Sequence, residues 1–317
     1  MVFCDIRPKK EPSTDRFYGF SNLEAHKRVY RRRKTILETR EGYARRKPKS
    51  WRTIMNKRPL FMLCVLFLVP LSVMGQNPFD GTWKLDVNSI QFDPKANVYR
   101  LQSGMYDCQT CVPPIKIKAD GTDQKVIGDP YNDRMSFKVI DEHNAKTTSK
   151  KDGKIVGTSK YVVSADGNTL TTDWTYSGNP NSGTQTGHYT EKRVGMAPSG
   201  AHLISGSWQF QTQNASENTD LIWTYKVSGN EMAMTSRGGQ SYTAKLDGTD
   251  AQFKGDPGTT SVSARMIGKN KYEETLKRDG KVITVNTSTI SDDGMTLSIV
   301  SEDKLQGRTD KAQAHKQ

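Results

Sequence analysis

The chain has 317 residues, with 47 Lys and Arg against 34 Asp and Glu, for a net charge of +13. The excess is not spread evenly: residues 1–58 carry 18 basic and 6 acidic side chains, and the rest of the chain carries 29 and 28. A length that allows about two domains and a nearly neutral main body exclude a nucleic-acid partner held by global charge.

Residues 1–54 contain Arg31-Arg32-Arg33-Lys34 and Arg45-Arg46-Lys47 with no apolar periodicity, so no packed structure is expected there. This basic leader is read either as a disordered cytoplasmic tail or as residues upstream of a true start at Met55. Residues 55–75 form the next unit. Lys57 and Arg58 precede the uncharged stretch Pro59–Gly75, and Val73-Met74-Gly75 suits a peptidase acting before Gln76. The apolar run Leu60–Val73 is shorter than the roughly 20 residues that span a bilayer. The expected product is therefore secreted or periplasmic. The alternative keeps residues 59–75 as an anchor with the domains outside, the membrane being touched only through this leader.

Beyond Gln76 the composition turns to Thr, Ser, Gly and Lys in short alternating runs bounded by turn residues. Such segments, joined by Asp-Gly and Gly-Asn-Pro signals, predict an all-β sandwich or barrel. Cys108-Gln109-Thr110-Cys111 holds the two cysteines that lie beyond the leader. In an exported chain a local disulfide between Cys108 and Cys111 is expected. A redox pair would want a helix N-terminus, and a zinc site would want further ligands at regular spacing.

Lys118–Leu170 recurs at Lys245–Leu297 without a gap, and 20 of the 53 paired positions are identical. The identities are mostly turns: Asp120-Gly121-Thr122-Asp123 with Asp247-Gly248-Thr249-Asp250, Gly128-Asp129-Pro130 with Gly255-Asp256-Pro257, and Asp152-Gly153-Lys154 with Asp279-Gly280-Lys281. A repeat this long is a duplicated domain rather than a solenoid. The expected units are a first barrel over 76–195, a linker over 196–203 and a second barrel over 204–317. Side-chain parity survives the duplication. Met135, Phe137 and Val139 share a face, as do their counterparts Val262, Ala264 and Met266.

The Gly81-Thr82-Trp83 and Gly206-Ser207-Trp208 openings, each followed by a meander of strands in about 115 residues, resemble the lipocalin and fatty-acid-binding-protein superfamily. The Lys-x-Asp-Gly-Thr-Asp and Arg/Lys-Asp-Gly-Lys turns are similar to those of lipocalin-like domains in secreted bacterial proteins. The resemblance implies two tandem antiparallel up-and-down barrels. It places Trp83 and Arg193 as the closing pair of the first and Trp208 at the floor of the second. It also implies a small apolar or amphipathic ligand, with Phe137, Tyr161, Trp174 and Trp223 as candidate lining.

No paired acids, Ser-His-Asp grouping or Gly-rich phosphate loop stands at a usable spacing, and the Asp-rich turns supply too few oxygens for calcium. The expectation is an exported, non-enzymatic binding protein without cofactor or metal. Its alternative is a structural or interaction module of the envelope whose barrels are filled and hold no ligand.

Overall fold

The computed structural model describes residues 77–215 and 221–317. The basic leader, the apolar segment 59–75 and the cleavage position before Gln76 lie outside the described residues. No described residue is helical. The first half supplies β1 (Gly81–Gln91), β2 (Asn97–Gln102), β3 (Met105–Cys108), β4 (Ile115–Lys118), β5 (Gln124–Lys125), β6 (Arg134–Val139), β7 (Asn144–Lys151), β8 (Lys154–Val163), β9 (Thr169–Tyr176) and β10 (Gln185–Gly195). The second half supplies β11 (Gly206–Ala215), β12 (Ile222–Ser228), β13 (Glu231–Ser236), β14 (Ser241–Lys245), β15 (Asp247–Gln252), β16 (Ser261–Gly268), β17 (Lys271–Arg278), β18 (Lys281–Ile290), β19 (Thr296–Asp303) and β20 (Arg308–Lys316).

Local chemistry accounts for these elements. In β9 the residues Leu170, Thr172, Trp174 and Tyr176 are buried while their neighbours are not, the period of two that defines a half-buried strand. Asp152-Gly153 and Asp279-Gly280 each place both central residues at positive φ. Two-residue hairpins need that conformation, and Gly adopts it without steric cost. The Asp-Gly-Thr-Asp turns bond internally, Asp120 Oδ1 accepting from the Thr122 amide and Asp247 Oδ1 from the Thr249 amide, both at 2.9 Å. This is turn chemistry.

The strands form two nearly closed antiparallel ten-stranded sheets. One runs β4-β3-β2-β11-β10-β9-β8-β7-β6-β5 and the other β14-β13-β12-β1-β20-β19-β18-β17-β16-β15. Single bridges, Asp120 with Lys138 and Ser241 with Lys254, draw the open edges together. The boundaries expected from the repeat, 76–195 and 204–317, are not those of the sheets. Each opening strand sits in the other repeat's barrel: β1 lies between β12 and β20, and β11 lies between β2 and β10. The chain after β1 does not fold back beside β10. Instead Asp93 bonds across to β20, its amide donating to Asp310 Oδ1 at 2.7 Å and its Oδ2 accepting from the Thr309 amide at 2.8 Å.

The two barrels meet at the ends away from Trp83 and Trp208. There Asn179 Nδ2 donates to Gly238 O at 2.9 Å, and Gln306 Nε2 donates to Thr110 O at 3.2 Å. Tyr131 and Gly258 are counterparts, 127 positions apart, and they touch. A Cβ on Gly258 would fall 2.1 Å from the Tyr131 hydroxyl, which donates to Asp256 Oδ1 at 3.0 Å. Both copies of the Gly-Asp-Pro turn thus lie at the joint, on either side of an approximate two-fold relation.

Candidate functional site

The far end of each barrel is floored by a tryptophan with no exposed surface. Trp83 Nε1 donates to Phe79 O at 2.9 Å, and Trp208 Nε1 to Ile204 O at 2.8 Å, each four residues back. The cations above them differ from the expected pairing. Arg193 lies 4.1 Å from the ring centroid of Trp208, and Lys316 lies 4.9 Å from that of Trp83. Strand exchange explains this, because β10 pairs with β11 and sets Arg193 opposite Trp208. Arg193 also donates to Gly167 O and Ser205 O, at 2.6 and 2.7 Å.

Three of the candidate lining residues lie inside the first barrel, Trp223 in the second, and all four are buried. Phe137 stacks on Tyr106 with centroids 4.0 Å apart, and on Tyr161 at 5.9 Å. Tyr99 extends the ladder, 6.4 Å from Tyr106. Trp174 stands apart from the ladder, opposite Gly187, where any Cβ would meet the indole at 2.5 Å. Trp223 is the cross-strand partner of Trp83 and turns its edge to Tyr225.

The two interiors are filled by different residues at matching positions. Phe137 corresponds to Ala264 and Ala145 to Tyr272, and none of the four is exposed. Tyr161 corresponds to Ser288, and Ile115 to Tyr242. Where one barrel carries a large side chain the other carries a small one, and a neighbouring position reverses the exchange. Close packing rewards this compensation, since a lost ring leaves a void unless another group enters it.

Each interior also holds a carboxylate, at positions that do not correspond. In the first barrel Glu191 is fully buried, and Asn97 Nδ2 donates to its Oε1 at 2.6 Å. Asn97 Oδ1 in turn accepts from Arg308 Nη2 of β20 at 2.6 Å, so the chain of bonds crosses between barrels. Burial pushes the Glu191 carboxyl up to about 7, against the opposing pull of Asn97 and the Arg308 charge. In the second barrel Tyr242 donates to Glu274 Oε2 at 2.6 Å and shares a 2.8 Å bond with Tyr272, while Asn286 Nδ2 donates to Glu274 Oε1 at 3.1 Å. Burial, followed by the Glu274 charge, drives the hydroxyls of Tyr225, Tyr242 and Tyr272 well above the ordinary tyrosine value. None of these polar residues was singled out from sequence. The available signal was an acid at an inward position of a strand, visible only once parity is known.

Three hydroxyls in the first interior, Thr147 Oγ1, Ser149 Oγ and Thr172 Oγ1, have no hydrogen-bond partner. Cys108 and Cys111 are joined by a disulfide. It closes the loop between β3 and β4 that faces the second barrel. Beside this loop a hollow of about 360 Å³ opens at the joint, bounded by Val112, Pro113 and Gly128 of the first barrel and by Arg278, Lys281, Ile283 and Leu305 of the second. No family model matches the sequence, and a search of curated proteins returns no significant match.

Proposed function

We propose that the chain is an exported, non-enzymatic binding and interaction module, in which two filled barrels serve as a rigid scaffold and recognition takes place outside their interiors. The reciprocal exchange of large and small side chains between the interiors carries this reading. Phe137 against Ala264 and Ala145 against Tyr272 keep both cores full although the side chains themselves have diverged. A barrel kept hollow for a ligand has no need of such compensation. Export follows from the apolar segment 59–75, and the filled scaffold suits the cell envelope or its surroundings.

A second reading, a small apolar or amphipathic ligand inside the first barrel, is favoured by the unpartnered hydroxyls of Thr147, Ser149 and Thr172. Each buried hydroxyl without a partner costs about 1–3 kcal/mol, and a bound molecule would relieve it.

Native mass spectrometry of the processed protein, isolated under gentle conditions, separates the two. The polypeptide mass alone is expected. A stoichiometric small-molecule adduct that disappears in a Thr147→Val/Thr172→Val variant would overturn the scaffold reading in favour of the second.

A further inference from the structure

The approximate two-fold relation at the joint is broken on one side. The β9–β10 connection has eight residues, 177–184, whereas its counterpart between β19 and β20 has four, 304–307. The longer loop covers its side of the joint: Asn179 bonds to Gly238, and the Asn181 amide comes within 2.5 Å of where a Gly239 Cβ would stand. Crowding at the paired glycines differs in the same sense. A Cβ on Gly255 would lie 2.4 Å from Gly239 O, so the β13–β14 turn is seated directly on the Gly-Asp-Pro turn. On Gly128 the nearest atom would be Pro113 Cγ at 3.9 Å. The disulfide-closed loop stands off from Gly128, and the short β19–β20 turn meets that loop through Gln306 Nε2, which donates to Thr110 O at 3.2 Å, without filling the space beside it. The hollow of about 360 Å³ is the space left.

Its walls are of two kinds. Val112, Pro113, Ile283 and Leu305 are apolar, and Val112 remains 43% exposed. At the rim Arg278 and Lys281 are direct cross-strand partners on the β17–β18 hairpin. Like charges so placed repel, and neither joins an ion pair among the described residues. Arg278 spends Nε on Gly258 O at 2.7 Å and leaves the outer edge of its guanidinium free. Asp279, at the turn, is the single carboxylate of the lining. A volume in the range of small-molecule pockets, with apolar side chains along part of the wall and charged groups at one edge, suits an amphipathic molecule.

We propose that this hollow binds a small amphipathic organic anion, its phosphate or carboxylate head between Arg278 and Lys281 and its apolar body along Val112, Pro113, Ile283 and Leu305. The ligand is a soluble monomer rather than a bilayer, because residues of both barrels border an open recess sized for one short body. This rests on recognition outside the barrels.

Isothermal titration of the exported protein with octyl phosphate, octyltrimethylammonium and inorganic phosphate tests it. Octyl phosphate is expected to bind at one site, and the other two at least tenfold more weakly. Arg278→Gln/Lys281→Gln should weaken octyl phosphate tenfold or more. Lys281→Gln alone, at a side chain with no described hydrogen bond, should weaken it severalfold with unchanged thermal stability. The matching pair Lys151 and Lys154, also cross-strand partners, supplies the control: Lys151→Gln/Lys154→Gln should leave affinity unchanged. Equal binding of all three probes, indifference to the Arg278 and Lys281 substitutions, or association with anionic vesicles but not with monomeric octyl phosphate would each overturn the proposal. A ligand inside the first barrel would persist in Arg278→Gln/Lys281→Gln, so failure of the scaffold reading is distinguishable from failure of the groove.

Discussion

Arg193 packs over Trp208, 4.1 Å from its ring centroid, although the tryptophan of its own repeat is Trp83. That contact places β11 in the first barrel and β1 in the second, and it makes the halves interdependent. A double-mutant cycle tests it. Arg193→Met and Trp208→Leu should couple by about 1 kcal/mol, whereas Arg193→Met and Trp83→Leu should add within about 0.5 kcal/mol. Urea unfolding of the whole chain supplies the four stabilities for each pair. Coupling of Arg193 to Trp83 instead would mean that the strands are not exchanged.

Glu191 gives stability a pH dependence of unusual sign for a carboxylate. Burial raises its folded pKa to about 7 from an ordinary 4.5. Below the ordinary value the group is protonated in both states, and the native protein holds its full stability. As pH climbs from there through 7, the unfolded chain releases the proton more readily than the folded one, so stability falls, by on the order of 3 kcal/mol in all. Turn carboxylates such as Asp120, Asp166 and Asp293 have lowered pKa values from hydrogen bonds to neighbouring hydroxyls and amides. They act in the opposite direction and only on the acid side of this window. Glu191→Gln should abolish the decline between pH 5 and 7 and be the more stable protein at pH 8. A wild-type slope in the variant would show that another group titrates there.

The local fold was legible in the sequence, and the assembly was not. Strand parity around Phe137 and Trp174 and the Asp152-Gly153 and Asp279-Gly280 hairpins follow from side-chain period and from φ, which are properties of a few residues. Strand exchange is a choice between two nearly equivalent seats. Nothing within Gly81–Gln91 or Gly206–Ala215 says which barrel's gap each will fill, because Trp83 and Trp208 present the same floor. Past β1 the chain keeps to β20, where Asp93 meets Thr309 and Asp310. The candidate site was half legible. Phe137 and Tyr161 do meet, but the rings that carry the ladder onward from Phe137, Tyr106 and then Tyr99, come from β3 and β2, and no local pattern encodes the pairing of β2 with the distant β11.

The tyrosines around Glu274 show how the second interior accommodates an acid where the first has a hydroxyl. Tyr242 and Asn286 both donate to this carboxylate, and its counterpart in the first barrel is Thr147. Glu274→Ala would leave those donors buried without an acceptor, at a cost of about 2–4 kcal/mol. Glu274→Gln keeps the shape and should lose less. Thr147→Ala removes a hydroxyl that has no partner and should cost under about 1 kcal/mol. Denaturant midpoints for the three variants provide the comparison, and a Thr147→Ala loss as large as that of Glu274→Ala would contradict it.

Gly128 and Gly255 allow the asymmetry of the joint to be measured without any ligand. Both sit at positive φ, +83° and +84°, so alanine at either incurs a similar backbone strain of about 1–2 kcal/mol. Only at Gly255 does the added methyl also strike backbone, at 2.4 Å from Gly239 O, whereas at Gly128 it finds Pro113 no nearer than 3.9 Å. The strain cancels between the variants and the crowding remains. Gly255→Ala should therefore lose at least about 2 kcal/mol more than Gly128→Ala, an overpacking penalty of ordinary size. Equal losses would mean that the disulfide loop is seated on its Gly-Asp-Pro turn as closely as the β13–β14 turn is on the other. In that case the hollow beside Pro113 would be closed.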